Sequence, residues 1–302
     1  ITGPTGAIGL ALVEALAKRG VTVYAVCRKH SPRAARLVES ECVHVVFCDL
    51  DTLNTLPQQI PQPVDAFFHF AWENTFGAAA RNELDSQLRN VRHTLDAVRA
   101  AKQLGCKVFI GAGSQAEYGR AEGVLMPATP AFPENGYGMA KLCAGQMSRV
   151  EAQSLGMRHI WARVLSVYGP YDGAGTMVSS VLRTLLQGET PACTKGEQLW
   201  DFLYSADAAE AFVAMAEKGR DGAVYPLGSG QAKPLRDYLE AMRDAVNPSL
   251  TLGLGAVPYG EKQVMHLQAD LTALTRDTGF VPCNSFAQGI AKTITWMKEE
   301  QA

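Results

Sequence analysis

The chain has 302 residues, 47% of them hydrophobic and 19% charged, with a formal net charge of −2. That length can bury a substantial core, as one large domain or two unequal ones. The near-neutral balance gives no electrostatic basis for binding nucleic acid or an anionic membrane. No apolar run approaches the roughly 20 residues of a membrane-spanning helix, and no signal peptide is visible. The seven cysteines are scattered and form no C-x-x-C pair, so neither a metal site nor a disulfide framework is expected, and a cytoplasmic protein with reduced thiols is.

Ile1 reads as the last residue of a buried strand that begins before this sequence, and the turn ITGPTGAIG follows it. Ala7 to Arg19 then reads as a helix with Ile8, Leu12, Val13 and Leu16 on one face, stopped at Gly20. Strands are expected at 21–27, 43–48 and 64–71, with a helix beginning at Ser31-Pro32. One long helix is expected from about Ala79 to Leu104, since Leu84, Leu88, Val91, Leu95 and Val98 are spaced 4-3-4-3. A strand at 107–113, a helix from Tyr137 to Leu155 and a strand at 158–167 complete an alternation that predicts a doubly wound parallel α/β sheet. Beyond Tyr168 the rhythm loosens into a loop at 169–175, a strand and helix within 200–219, a strand within 222–230, and short elements broken by prolines.

Gly3, Gly6 and Gly9 stand where a strand meets a helix, a place where a tight backbone turn brings amide groups to a pyrophosphate. No Gly-Lys-Ser/Thr follows, which excludes a P-loop. A site for NAD usually carries an acid about 20 residues later. Here the second strand ends in Cys27, Arg28 and Lys29, and two cations without a carboxylate suit a 2′-phosphate, so NADP(H) is expected ahead of NAD. Asp49-Leu50, closing the third strand, is a candidate adenine contact.

Tyr137 and Lys141 in YGMAK are one helical turn apart on one face. An ammonium near a phenol favours the phenolate, which lets tyrosine exchange a proton with an alcohol or carbonyl. Ser114, just beyond the 107–113 strand, is placed to hold the same oxygen.

Taken together, these motifs resemble those of the extended short-chain dehydrogenase/reductase family. They are T-G-x-x-G-x-x-G at 2–9, HFA at 69–71, Asn90, GSQAEYG at 113–119, YGMAK at 137–141, RVLSVYGP at 163–170 and DFLYSADAAEA at 201–211. The resemblance implies a Rossmann domain at 1–167 plus about 200–228. It also implies a smaller C-terminal α/β substrate lobe at about 168–199 and 229–302, a nucleotide-sugar substrate and a homodimer. Carried over by position, Gly3, Thr5, Gly6, Ala7, Ile8 and Gly9 would cradle the dinucleotide, with Ala71 beside the nicotinamide ribose and Asn90 as a structural or relay residue. Tyr137 would be the catalytic acid/base, Lys141 would poise it and bind the ribose, and Ser114 would orient the substrate oxygen. The apolar stripe from Leu84 to Val98 and the Tyr137 helix are expected at the dimer interface.

Departures from the family pattern narrow the reaction. Ser114 is followed by Gln115-Ala116 instead of the Asp-Glu of 4,6-dehydratases, which disfavours dehydration, and Glu117 is expected on the opposite side of the segment. Ser166 replaces a substrate-contacting Asn, and Trp200 replaces an Arg that lies near the diphosphate in many members. Trp72, Gln115, Ser166 and Trp200 are the expected substrate contacts. With NADPH preferred, the leading expectation is a 4-keto-sugar reductase, and the alternative is a 4-epimerase holding NAD. A dinucleotide sensor without turnover and a reductase of a non-nucleotide carbonyl compound stand behind both.

Overall fold

A computed structural model of the chain describes residues 1–300. Helix α1 (Ala7–Ala17) follows the glycine turn, and strands β1 (Val23–Cys27), β2 (Val43–Phe47) and β3 (Ala66–His69) come next. A short helix α2 (Ala78–Arg81) precedes α3 (Leu84–Gln103), then β4 (Val108–Ser114), α4 (Gly136–Ser154), β5 (Arg158–Val164) and β6 (Ser166–Tyr168). The expected helix at Ser31-Pro32 is only a 3-10 turn, Pro32–Arg36.

All of these strands but β6, which pairs with Phe202–Tyr204, join one parallel sheet in the order β2, β1, Thr2, β3, β4, β5 and Ala223–Leu227. Thr2 bridges Val26 on one side and His69 on the other, so the first residues occupy the centre of the sheet. Strand order reverses there, and in such sheets ligands bind in the crevice beyond the carboxyl ends of the strands. Helix α1 and the helix Ser205–Lys218 pack through Leu12, Ala15, Ala208 and Phe212 in the core on one face. Helix α3 covers the other through Ala97, Val98 and Ala101, and α4 lies against it. A second core, including Val181, Leu182, Leu239, Met242 and Ile290, holds the C-terminal elements together around Tyr168 and Tyr204. No helix among the described residues is long and apolar enough to cross a membrane.

The helix expected over 79–104 is broken. Asn82 and Glu83 interrupt it, and the Glu83 side chain accepts from Ser86 N as the N-cap of α3. The 4-3-4-3 stripe also divides: Val91 and Val98 are buried, whereas Leu84 and Leu88 are 59% and 67% exposed.

One packing unit fixes β4 against α4. The indole of Trp161, on β5, lies in a slot in which a Cβ at Gly111, Gly113 or Gly145 would stand closer than 3.0 Å to its ring. Two of these glycines precede Ser114 on β4 and the third is on the helix of Tyr137 and Lys141. The ring thus helps to space these side chains, together with Gly138, where a Cβ would stand 2.4 Å from Ala116 O.

Candidate active site

The three glycines of the opening turn are glycines for three reasons. Gly3 has φ +69, and a Cβ there would stand 2.7 Å from Ala71 N, so the turn can press against the end of β3. A Cβ at Gly9 would meet Gly3 and Pro4 within 3.0 Å, so its bareness lets the helix start sit on the turn. Gly6 is different, because a Cβ there meets no protein atom nearer than 4.0 Å. The space in front of it is open. Gly6 is also the N-cap of α1, with no side-chain cap and no acid in the first turn, which leaves the helix amides and the positive end of its dipole free for an anion.

These features open on a cleft of about 740 Å³ lined by Gly3, Thr5, Gly6, Arg28, Asp49, Leu50, Ala71 and Trp72. Gly9 is packed inside the turn, while Ala7 and Ile8 begin the helix at its edge. A dinucleotide fits this arrangement: bare backbone for the pyrophosphate, and side chains at the strand ends for the adenosine half. Lys29 does not line the cleft; its backbone N–H donates to Asp49 Oδ1 at 3.1 Å. Asn90 is buried away from the cleft, holding Glu73 through both backbone groups at 2.9 and 3.1 Å. It secures the loop after β3.

A second cavity, of about 790 Å³, adjoins this cleft and is lined by Ile8, Arg81, Ser114, Gln115, Tyr137, Ser166, Asp172 and Trp200. Ser114 ends β4 and caps the following turn, its Oγ accepting from Ala116 N at 3.2 Å. That leaves the hydroxyl proton free to donate. Tyr137 enters on the first turn of α4, which Asn135 caps through Gly138 N at 2.8 Å. Burial pushes the phenol pKa up, while the Ser114 hydroxyl and the Arg81 charge pull it back. Lys141 donates to Ala112 O at 2.7 Å and lies 3.6 Å from the centre of the Trp72 ring and 5.8 Å from that of Tyr137. Burial lowers the Lys141 pKa to about 7, against the opposing field of Glu117.

The structure thus brings Ser114, Tyr137 and Lys141 together, but it moves Trp72 from its expected place. Trp72 lines the glycine cleft, with its indole N–H on Gln87 at 2.9 Å and its ring edge-on to Tyr137 at 6.1 Å. Ser166 and Trp200 both face the second cavity and bond each other, Trp200 Nε1 donating to Ser166 Oγ at 2.8 Å. Glu117 is fully buried and turned inward, accepting from Ser114 N, Trp161 Nε1 and Arg163 Nε at 2.8, 2.9 and 2.7 Å. Sequence reasoning missed Arg81 and Asp172 as cavity residues. Arg81 fell inside the single helix expected there, and Asp172 in an unstructured loop, so no periodicity or motif marked either.

The profile of the NAD dependent epimerase/dehydratase family matches residues 1–228. The chain belongs to that family. Its relatives include the CDP-abequose synthase of Salmonella typhimurium, 22% identical over 97% of this chain and 96% of that protein. Among solved structures, the UDP-N-acetylglucosamine 4-epimerase of Methanobrevibacter ruminantium M1 has a TM-score of 0.86 at 22% identity, covering 99% of this chain and 97% of that one. MoeE5, solved with UDP-glucuronic acid and NAD, has a TM-score of 0.85 at 26% identity, covering 99% and 98%. As a member of this family the chain is an NAD(P)-dependent oxidoreductase or epimerase of the extended short-chain type.

The expected preference for NADP is corrected. Five similar solved structures name a bound dinucleotide, and in each it is NAD. The cleft supplies a physical reason: Arg28 and Arg33 share its lining with Asp49 and Asp51, and Lys29 is outside it. The carboxylate-free pair of cations expected for a 2′-phosphate is not what the fold assembles.

Proposed function

We propose that this enzyme is a nucleotide-sugar 4-epimerase that keeps NAD bound through its cycle. The observation that carries the reading is a site with one proton-transfer group. Gln115 and Ala116 cannot act as acid or base, Glu117 is engaged by three donors, and Asp172 holds Thr176 Oγ1 and Gly173 N at 2.7 and 2.8 Å. Elimination of water needs a second acid or base near the reacting carbons, whereas epimerisation removes and returns one proton at one oxygen. The reductase expectation rested on NADP and loses its support with that correction.

When bound, NAD supplies a hydride acceptor that becomes the donor for the return. The residues of this chain handle the proton and the sugar. Tyr137, as phenolate, takes the proton of the sugar C4 hydroxyl and holds it while the ketone exists. Ser114 donates to the same oxygen, keeping it beside the phenol as its charge changes. The second cavity leaves room for the ketone to present its other face before Tyr137 returns the proton. Lys141, held by Ala112 O and Trp72, would bind the dinucleotide ribose beside Tyr137. The relatives that carry UDP-sugars support a nucleotide sugar as the substrate. The exposed Leu84, Leu88, Met139, Met147 and Val150 on α3 and α4 support a homodimer, which light scattering at micromolar concentration would test.

Denaturing the purified protein and identifying the released nucleotide tests the main reading. Stoichiometric NAD, together with conversion of a UDP-hexose to its C4 epimer by NMR without added cofactor, is the expected result. A protein that releases no dinucleotide and consumes a reduced cofactor mole for mole with a keto-sugar would overturn it.

A further inference from the structure

Two cations stand near Tyr137, and they are held very differently. Lys141 comes from the same helix, but its Nζ is turned to Ala112 O and the Trp72 face, 5.8 Å from the Tyr137 ring centre. Arg81 comes from α2, and its guanidinium carbon lies nearer, 4.8 Å from that centre. Its Nε donates to Thr75 O at 2.8 Å, and among the described residues it has no carboxylate within ion-pair distance and no side-chain partner for its two Nη groups. It lines the cavity beside Ser114 and Tyr137.

That placement is built into the fold. The N–H of Gly136, the first residue of α4, donates to Asn82 Oδ1 at 3.0 Å. A Cβ at Gly136 would lie 3.0 Å from Arg81 O and 2.7 Å from Leu84 Cδ2. The bare glycine lets the end of α2 close onto the start of the tyrosine helix, and the break between α2 and α3 aims Arg81 across that junction.

We infer that Arg81 is a second working cation of the site, the counter-charge that makes the Tyr137 phenolate accessible. This deepens the reading of Tyr137 as acid/base and rests on it. A guanidinium keeps its charge throughout the working range. Lys141 does not, because burial brings its pKa to about 7, so its support fades as the solution becomes alkaline. The charged and titratable groups facing Tyr137 are Arg81 from α2, Lys141 on its own helix and Glu117 from the turn after β4. Of these, Arg81 is the cation whose field opposes the upward push of burial on the phenol, and Glu117 works against it.

The test needs no knowledge of the substrate. In full-length protein with NAD added and tyrosine labelled with 13C at Cζ, the resonance missing from Tyr137→Phe identifies Tyr137, and its titration midpoint is followed with pH. Arg81→Gln and Arg81→Met are expected to raise that midpoint by about one unit. Arg81→Lys is expected to keep it within a few tenths of a unit of the parent, which separates charge from shape. Either neutral variant suffices if the other does not fold, and thermal melts show which are intact. A midpoint unmoved in a folded neutral variant overturns the inference. Release of NAD and conversion to the C4 epimer would be untouched by that outcome, so failure of this inference is distinct from failure of the epimerase reading.

Discussion

The glycine cleft and the cavity at Tyr137 are made in different ways. The glycine cleft is lined by residues 2–6, 26–28, 31, 33, 48–52 and 70–75, at or just beyond the ends of neighbouring parallel strands. Its shape is a property of backbone, and its central feature is a helix start left bare. The second cavity is assembled from side chains between Ile8 and Gln263, drawn from the sheet, α2, α4 and the C-terminal elements. Here each wall is a packing result between distant segments. One region is defined by where side chains are absent, as at Gly3 and Gly9, and the other by which side chains arrive.

Breaking the second cavity at its chemistry should have the largest effect. Tyr137→Phe is expected to cut turnover by about 10²–10⁴-fold with circular dichroism unchanged, and a smaller loss would detach the cavity from the reaction. Next comes acid. His69 and His159 are buried between sheet and helices, and burial lowers their pKa values to about 3 and about 4. Their folded values lie below the unfolded one near 6.5, so the unfolded chain binds more protons in acid. The stability they confer is complete above pH 6.5 and drains away as pH falls toward 4 and 3. Each should cost about 2 kcal/mol between pH 7 and pH 4.5, read as a falling urea midpoint. His159→Gln should flatten that slope.

The glycine turn allows a sharper contrast. Gly9→Ala is expected to destabilise the fold by about 1–3 kcal/mol through overpacking, seen as a lower melting temperature in the dinucleotide-free protein. Gly6→Ala should leave that melt nearly unchanged yet weaken NAD binding by about tenfold, a difference of about 1.4 kcal/mol. Equal effects on both measurements would erase the distinction between a protein-facing and a ligand-facing glycine. The smallest effect is expected at Trp200→Phe, which keeps the ring and loses the bond to Ser166. About 1 kcal/mol should appear as a raised KM for the sugar nucleotide with kcat little altered.

What sequence could and could not show follows the same division. The turn at Gly3–Gly9, the strand ends and the Tyr137–Lys141 spacing are local, and local periodicity and spacing describe them. The break at Asn82–Glu83 was not legible because the apolar spacing of Leu84 to Val98 lies wholly beyond it and does not mark where the helix begins. The break accompanies a contact of Gly136 with Arg81 and Asn82 that joins segments more than fifty residues apart in the chain. Arg81 was hidden for that reason. The cofactor misreading has a related cause, because Arg28-Lys29 looks free of acid in sequence until the sheet sets Asp49 beside it. Glu117 was expected on the far side of its segment; its three donors come from β4 and β5, a register no local pattern displays.

The Trp161 slot carries a consequence for how such a site can change over generations or in a directed library. Adding a methyl at Gly111, Gly113 or Gly145 overfills the slot, and shrinking the indole alone leaves a void. Single steps in either direction are penalised, whereas a smaller ring paired with a larger neighbour is not, so these positions are expected to be strongly non-additive. The distance from Ser114 to Tyr137 is thereby buffered against piecemeal drift. Variation is channelled toward cavity walls that lie outside the slot, such as Ser166, Trp200 and Gln115, where one residue can be exchanged without disturbing Ser114 and Tyr137.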